Sequence, residues 1–530
     1  MHPSLMNSRL LLWSIVSALA GFLFGFDTVV ISGAEKTIQS LWGLSGSTHG
    51  MAMSIALWGM VVGSLVGGWP TDRWGRKLTL IWIGLLFLAG SLGSAFAPEI
   101  YTFMVCRFLG GIAVGVSTIA APLYISEIAP PGRRGRLAGM FQFNIVFGIV
   151  VAYLSNFLLD GLGESAWRWM LGIMAVPSVI YTAACFIIPE SPRWLIAHGR
   201  AEEGRRVLQL ISPETPATEI DRLAEEIAAA SRQATASTAG FWGKGMKRPI
   251  LLAFLIAAFN QLSGINVILY FAPRLLGLAG IGNPLLASVC IGLTNLVFTF
   301  VGLYLIDRLG RKTLLTIGSY GYISSLGICA WAFLSFGGFK AVSSSIDLAD
   351  ASARVVNLES GKLKLLPEDA AAAQKAYAEA KASFATVAST FPEAAVPADA
   401  SPASVLEIAK KTKATASGAL GFKSTIVLLC IMLFIAAHAI GQGAVIWVFI
   451  SEIFPNKFRA QGQSLGSGTH WVFAASLTYL FPVAIAKFEA GWHFAFFCVM
   501  MVLQLLWVKT MVPETKGRSL EEIQRDLGVV

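Results

Sequence analysis

The chain has 530 residues, of which 55% are hydrophobic and only 13% charged, with a formal net charge of +9. Soluble domains carry roughly 25% charged residues, so a soluble globular protein is excluded and the chain belongs in lipid. Mean hydropathy is +0.66, and the apolar runs are continuous rather than alternating, which excludes a β-barrel and predicts an all-α membrane protein.

A helix needs about 20 apolar residues to cross a bilayer. Windows of that kind begin near residues 10, 50, 78, 100, 137 and 167, and again near 248, 283, 312, 424, 461 and 491. They predict twelve spans. The first follows Arg9 and continues past Ala20 without a cleavage site, so it reads as a span and not as a signal peptide. It contains "GFLFGFDTVVISG", with Asp27 in its middle. A carboxylate at the centre of a bilayer costs at least ~2.5–3.5 kcal/mol and needs a reason to be there. The fourth span supplies an opposite charge, Arg107 in "VCRFLGGIAVG". Asp27 and Arg107 are the clearest opposite charges deep in the apolar runs, and a pair neutralises what each alone could not.

The loops orient the chain. With the N-terminus in the cytoplasm, short inner loops collect "DRWGRK", "PPGRRGR", "DRLGRK" and "PNKFR", while outer loops of similar length hold isolated cations such as Lys36, Arg168 and Lys487. The net positive charge is therefore topological and does not indicate nucleic acid. The stretch 199–246 shows helical periodicity in "GRAEEGRRVLQLI" and "EIDRLAEEIAAASR" and reads as a cytoplasmic linker of short amphipathic helices.

Three signatures recur in order. "GGWPTDRWGRKLTL" returns as "VGLYLIDRLGRKTLL", "YISEIAPPGRRGR" as "FISEIFPNKFRA", and "PESPRWL" as "PETKGRS". The chain is thus two six-helix halves, 1–198 and 247–530, joined by the linker, and parallel repeats of this kind put a substrate site between them near mid-membrane. Asp72 and Glu127 lie 55 positions apart, their counterparts Asp307 and Glu452 145 apart. The excess locates an extracytoplasmic insertion at about 337–422, with helix starts expected at Pro367 and near Pro402. As a tolerated appendage it needs no further role; a lid or docking element is the alternative.

Six single cysteines show no metal or disulfide spacing and read as small core residues. No nucleophile–base pair, metal cluster or nucleotide motif appears, and "GGIAVG" and "GQGAV" lie inside spans, where small residues let helices approach. The expectation is a non-enzyme without cofactor or metal.

The repeated D-R-x-G-R-K with "PESPRWL", "QLSGINVILYFAP" and "PETKG" resembles the sugar porter family of the major facilitator superfamily, most of all its bacterial proton–sugar symporters. The likeness covers nearly all of the chain except the extreme N-terminus and the insertion. It implies the major facilitator fold, a small sugar and a proton as partners, a monomer, and a plasma membrane, here a bacterial inner membrane. The absence of any N-x-S/T sequon agrees with that compartment.

The resemblance also implies roles. Proton-coupled members carry Asp at the position of Asp27, where facilitative animal members carry a neutral residue. Gln142, Asn260, Gln261, Asn266 and Asn295 fall on positions like the family's sugar contacts, and Trp447 and Trp471 match its two pocket tryptophans. Neutral two-way hydrogen-bonding groups with aromatic faces suit a polyhydroxylated, uncharged substrate. Tyr270 belongs with an outer gate, and Phe24, one turn before Asp27, either lines the pocket or simply packs. This chain departs from the family in Asn260, where a glutamine is usual, and in His470, where an amide is common; His470 suits a ligand contact or a satisfied structural imidazole. In relatives the inner ends carry a cytoplasmic gate of salt bridges that hold the inside shut while the outside is open; here the matching residues are Asp72, Arg73, Arg76, Glu127, Arg134 and Glu190, mirrored by Asp307, Arg308, Arg311, Glu452 and Arg459. The expected function is proton-coupled monosaccharide import by alternating access. Alternatives are a facilitative uniporter, a polyol or inositol symporter, and a non-transporting sensor, for which a long cytoplasmic tail after Pro513 would be expected.

Overall fold

A computed structural model describes residues 8–130, 134–234, 240–361, 367–518 and 520–528. Among them there is no strand. Eleven continuous helical stretches are long and apolar enough to cross a bilayer. One of these, Gly139–Ile187, has 49 residues, which is about 74 Å of helix at ~1.5 Å per residue, more than twice a hydrocarbon core. It turns at Gly163, where φ is 75°, and so makes two crossings. The first six crossings are Ser8–Leu41, Gly46–Val66, Arg76–Ala95, Ile100–Ile128, Arg134–Leu159 and 166–187. The second six are Lys247–Tyr270, Pro284–Leu309, Arg311–Ser335, Phe422–Ile453, Arg459–Ile485 and Ala490–Met511.

Three spans are interrupted where the sequence shows continuous apolar runs, the sixth between Ala166–Gly172 and Ala175–Ile187. The seventh divides into Lys247–Leu262 and Ile265–Tyr270 at Gly264, whose φ of 88° only glycine adopts without strain. It resumes as Ala272–Leu278 with Pro273 in its first turn. The tenth divides at Gly441 into Phe422–Ile440 and Gln442–Ile453. Pro482, by contrast, sits inside an unbroken helix, Arg459–Ile485.

Small residues set how closely the spans approach. A Cβ on Gly25 would lie 1.8 Å from the Ile145 carbonyl oxygen, and one on Gly148 2.2 Å from that of Phe22, so the first and fifth spans touch backbone to backbone. Gly59 and Gly111 do the same for the second and fourth, at 2.3 Å from Phe108 O and 2.0 Å from Ala56 O. The halves meet along two seams, the second span against the eleventh and the fifth against the eighth. The carriers of Asp27 and Arg107, the first and fourth spans, pack against each other inside the first half.

The linker helices Ala201–Ile211 and Ala217–Ala234 bury one apolar face, Val207 and Ile211 on the former, Ile220 and Ala224 on the latter. The insertion holds three helices, Gly337–Glu359, Pro367–Ala385 and Pro402–Leu420. The latter two start at the prolines that signal them, the last capped by Ser401, whose hydroxyl accepts from Ser404 N. The first has no such signal; its buried Phe339, Val342, Ile346 and Leu348 are diluted by serines and a Gly-Gly start.

Gly25→Ala is expected to cost about 1–3 kcal/mol, as overpacking does, and to lower the unfolding midpoint of the detergent-solubilised protein. Gly139→Ala, whose Cβ would meet nothing within 4 Å, should leave the midpoint unchanged or slightly raised.

Candidate functional site

Asp27 and Arg107 are 2% and 4% exposed. Arg107 Nη1 donates to Asp27 Oδ1 at 2.5 Å, and Nη2 lies 3.4 Å from the Asp27 carbonyl oxygen. The second carboxylate oxygen, Asp27 Oδ2, is buried without a partner. Tyr270 is fully buried in electrostatic reach of both charges, and its hydroxyl also lacks a partner. One guanidinium thus holds the carboxylate by one oxygen and leaves the other open.

Beside the pair, between the halves, lies a cavity of about 120 Å³. Phe24 and Thr28, which flank Asp27 on the first span, are part of its wall. The expected Gln142, Asn260, Gln261, Asn266, Asn295, His470 and Trp471 line it as well. Gln261 Nε2 donates to Asn260 Oδ1 at 3.0 Å and lies 3.1 Å from His470 Nε2. Gln261 Oε1 and Asn266 Nδ2, an acceptor and a donor, are both buried and unpartnered. Leaving such groups unsatisfied costs about 1–3 kcal/mol each, and a hydroxyl group, donor and acceptor at once, is the chemistry that satisfies both.

The aromatic groups form a connected wall. Trp471 meets Phe24 edge-on with ring centroids 5.6 Å apart, joining the two halves, and His470 stands 4.6 Å from Trp471 and 5.4 Å from Trp447. Trp447 and Tyr270 are set back from the cavity surface: Trp447 backs His470, and Tyr270 faces the ion pair. The cavity wall includes Thr28, Thr299 and His438, none of which stands out in the sequence. His438 is a lone polar residue in "CIMLFIAAHAIG". Its Nδ1 lies 2.8 Å from the Tyr322 hydroxyl, and that isolation was the available signal.

At the inner ends, the two halves repeat one construction. Arg76 holds Glu127 with two parallel bonds of 2.9 and 2.8 Å and reaches Asp72 at 3.2 Å. Arg311 holds Glu452 at 3.1 and 2.7 Å and reaches Asp307 at 3.4 Å. Glu190 accepts from the backbone N–H of Arg76 and Lys77, and Glu514 accepts from those of Arg311 and Lys312. Burial pushes the Glu190 carboxyl above its usual range, against the pull of the N–H groups of Ser191, Arg76 and Lys77. Gly75 and Gly310, at φ 93° and 90°, leave the space that these carboxylates fill. Among the described residues, each network closes within its own half and does not bridge the two as the expected gate would.

Three expected members of these networks stand elsewhere. Arg73 lies over the Trp69 ring at 5.5 Å and Arg308 over Tyr304 at 4.1 Å, so cation–π contact rather than a carboxylate engages them. Arg459 Nε donates to the Ser451 carbonyl at 2.9 Å. The side chain of Arg134 lies outside the described residues. Glu514 is the counterpart of Glu190 by symmetry, and the repeat of "PESPR" as "PETKG" is the sequence signal for it.

A family model described as "Sugar (and other) transporter" matches residues 13–351 and 404–527, leaving out part of the insertion. The galactose-proton symporter of Escherichia coli (strain K12) is 31% identical over 519 residues, covering 97% of this chain and 93% of the relative. The arabinose-proton symporter of Bacillus subtilis (strain 168) is 29% identical over 523 residues, covering 97% and 94%. In structure, the chain is similar to the inward-open conformation of the xylose transporter XylE from E. coli, with a TM-score of 0.71 and 25% identity across 97% of this chain and 98% of that one. The chain therefore belongs to the sugar porter family of the major facilitator superfamily, whose members are multi-pass membrane transporters and not enzymes.

Proposed function

We propose that this chain imports a monosaccharide together with a proton by alternating access. The observation that carries the reading is the buried Asp27–Arg107 pair, with Asp27 Oδ2 open, next to a cavity walled by neutral amides and aromatic rings. Relatives named as galactose-proton and arabinose-proton symporters support it.

In this reading the outward-facing carrier takes a proton on Asp27, which weakens the hold of Arg107. A sugar seated on Gln261, Asn266 and the neighbouring amides, with its apolar face on Trp471, then permits the halves to rock. On the inner side Arg107 returns to Asp27 and expels the proton. One elementary charge crossing 100 mV releases about 2.3 kcal/mol, enough at ~1.4 kcal/mol per decade for a roughly 50-fold sugar gradient. The inner Arg–Glu networks stiffen each half so that it moves as a body, and their cations face the cytoplasm. We read the working unit as a monomer, a reading supported by a cavity walled by one chain, and its place as a plasma membrane, a bacterial inner membrane in the first instance.

Asp27→Asn keeps the size of the side chain and removes its titration. In proteoliposomes this variant is expected to lose accumulation of labelled sugar against a gradient while retaining counterflow between the two sides. Accumulation by the variant equal to that of the parent would overturn the assignment and favour a coupling site elsewhere.

Asn266→Ala removes one donor from the cavity wall. It should weaken sugar binding about 5–10-fold, as the loss of one net hydrogen bond does, read by titration calorimetry on the purified carrier. The same variant should leave the proton dependence of uptake unmoved.

A further inference from the structure

The outer ends of the halves carry a second buried charge cluster that the proton-coupling scheme does not use. Glu35, two turns beyond Asp27 on the first span, is 2% exposed, and His49 on the second span is fully buried. His49 Nε2 lies 2.6 Å from Glu35 Oε1. Both belong to the first half. From the second half, Arg274 on the short helix Ala272–Leu278 brings its Nε to 3.4 Å from Glu35 Oε1 and donates through Nη2 to Gln39. Close to them, Ser47 meets the Tyr479 hydroxyl at 2.9 Å, and a Cβ on Gly50 would lie 2.2 Å from Tyr479 O, so the halves are shut together on this side.

The insertion lies over the same junction. Its first helix, Gly337–Glu359, packs along Pro402–Leu420 and touches the helix bearing Arg274. Asp347 interacts electrostatically with Arg274 and Lys36, and Asp350 with Lys36, on the outer end of the first span. Arg354 donates to the carbonyl of Gly43, in the loop that joins the first two spans. Lys340, at the other end of the same helix, pairs with Glu489 at 3.2 Å in the loop before the twelfth span. One helix of the insertion is therefore anchored to both halves.

We propose that Glu35, His49 and Arg274 form an outer lock for this carrier, and that the first insertion helix is a strap holding the lock closed through Asp347, Asp350 and Arg354. Every one of these cross-half contacts must part when the outside opens. Departure of Arg274 removes the cross-half partner of the Glu35 carboxylate, which favours the closed arrangement. Arg354 adds a bond from the insertion to the opposite half, so the strap biases the same equilibrium without touching the sugar cavity. This rests on the alternating-access part of the function proposed above and not on proton coupling.

The test reads exposure rather than flux. A cysteine introduced at Leu269, on the cavity wall, is labelled from outside with a membrane-impermeant maleimide in right-side-out vesicles holding the full chain. Labelling is counted above that of the six native thiols. Arg274→Gln and Arg354→Gln should each raise the labelling rate about 5-fold or more, the lower end of ordinary conformational coupling. Glu35→Gln combined with Arg274→Gln should do less than the sum of the two, since they share one contact. Arg354 lies away from the buried cluster, so its variant carries the test even where the Arg274 variants fail to fold. An unchanged rate in Arg354→Gln removes the strap. An unchanged rate in a folded Arg274→Gln, or strictly additive effects of the Glu35 and Arg274 changes, removes the lock. A carrier that fails the proton-coupling test yet labels as expected keeps the lock and loses only the coupling.

Discussion

A carboxylate held out of water by a single guanidinium is the constraint around which this molecule is arranged. Asp27 and Arg107 sit on adjacent spans of one half, and neither charge would be stable there alone. They meet because the first and fourth spans pack against each other, in a half whose other close helix approaches Gly25, Gly59, Gly111 and Gly148 allow. The pair is not sealed away from the rest. Phe24 and Thr28, its neighbours on the first span, form part of the cavity wall, and Phe24 touches Trp471 of the other half. The pair is thus contiguous with the surface on which the two halves meet.

The inner ends show what a duplicated sequence preserves. The D-R-x-G-R-K turn builds the same object twice: an arginine gripping a glutamate with two bonds, and a second glutamate receiving the backbone N–H groups of the turn. The glycine at positive φ is required in both, because any side chain there would occupy the volume of that carboxylate. These bonds lie within each half. The contacts between the halves lie elsewhere, at the seams and at the outer ends.

Much of this was legible from residues alone. The twelve apolar runs, the three repeated signatures and the intrusive Asp27 and Arg107 are strong because each breaks a composition that is otherwise uniform. The five amides, Phe24, His470 and Trp471 lie around one cavity, as the family likeness implies. What stayed hidden has a physical reason in each case. Thr28 and Thr299 are common small residues of membrane helices and carry no contrast. The breaks at Gly264 and Gly441 depend on φ and on packing against Phe497 and Gly318, which hydropathy does not record. The first insertion helix lacks a capping signal and alternates serine with apolar residues, so its periodicity is weak. Arg73 and Arg308 misled because a shared motif does not tell a carboxylate partner from an aromatic one. Glu35 and His49 are separated from Arg274 by more than 220 positions, and only the fold brings them together.

The most direct measurement is uptake of labelled hexoses, pentoses and polyols by the wild-type chain in sealed proteoliposomes, with and without an imposed pH difference, alkaline inside. The expected result is accumulation of at least one monosaccharide above its external concentration, abolished by a protonophore. Equilibration of every solute to the same level whether or not the pH difference is present would contradict proton-coupled import and leave a passive carrier on the same fold.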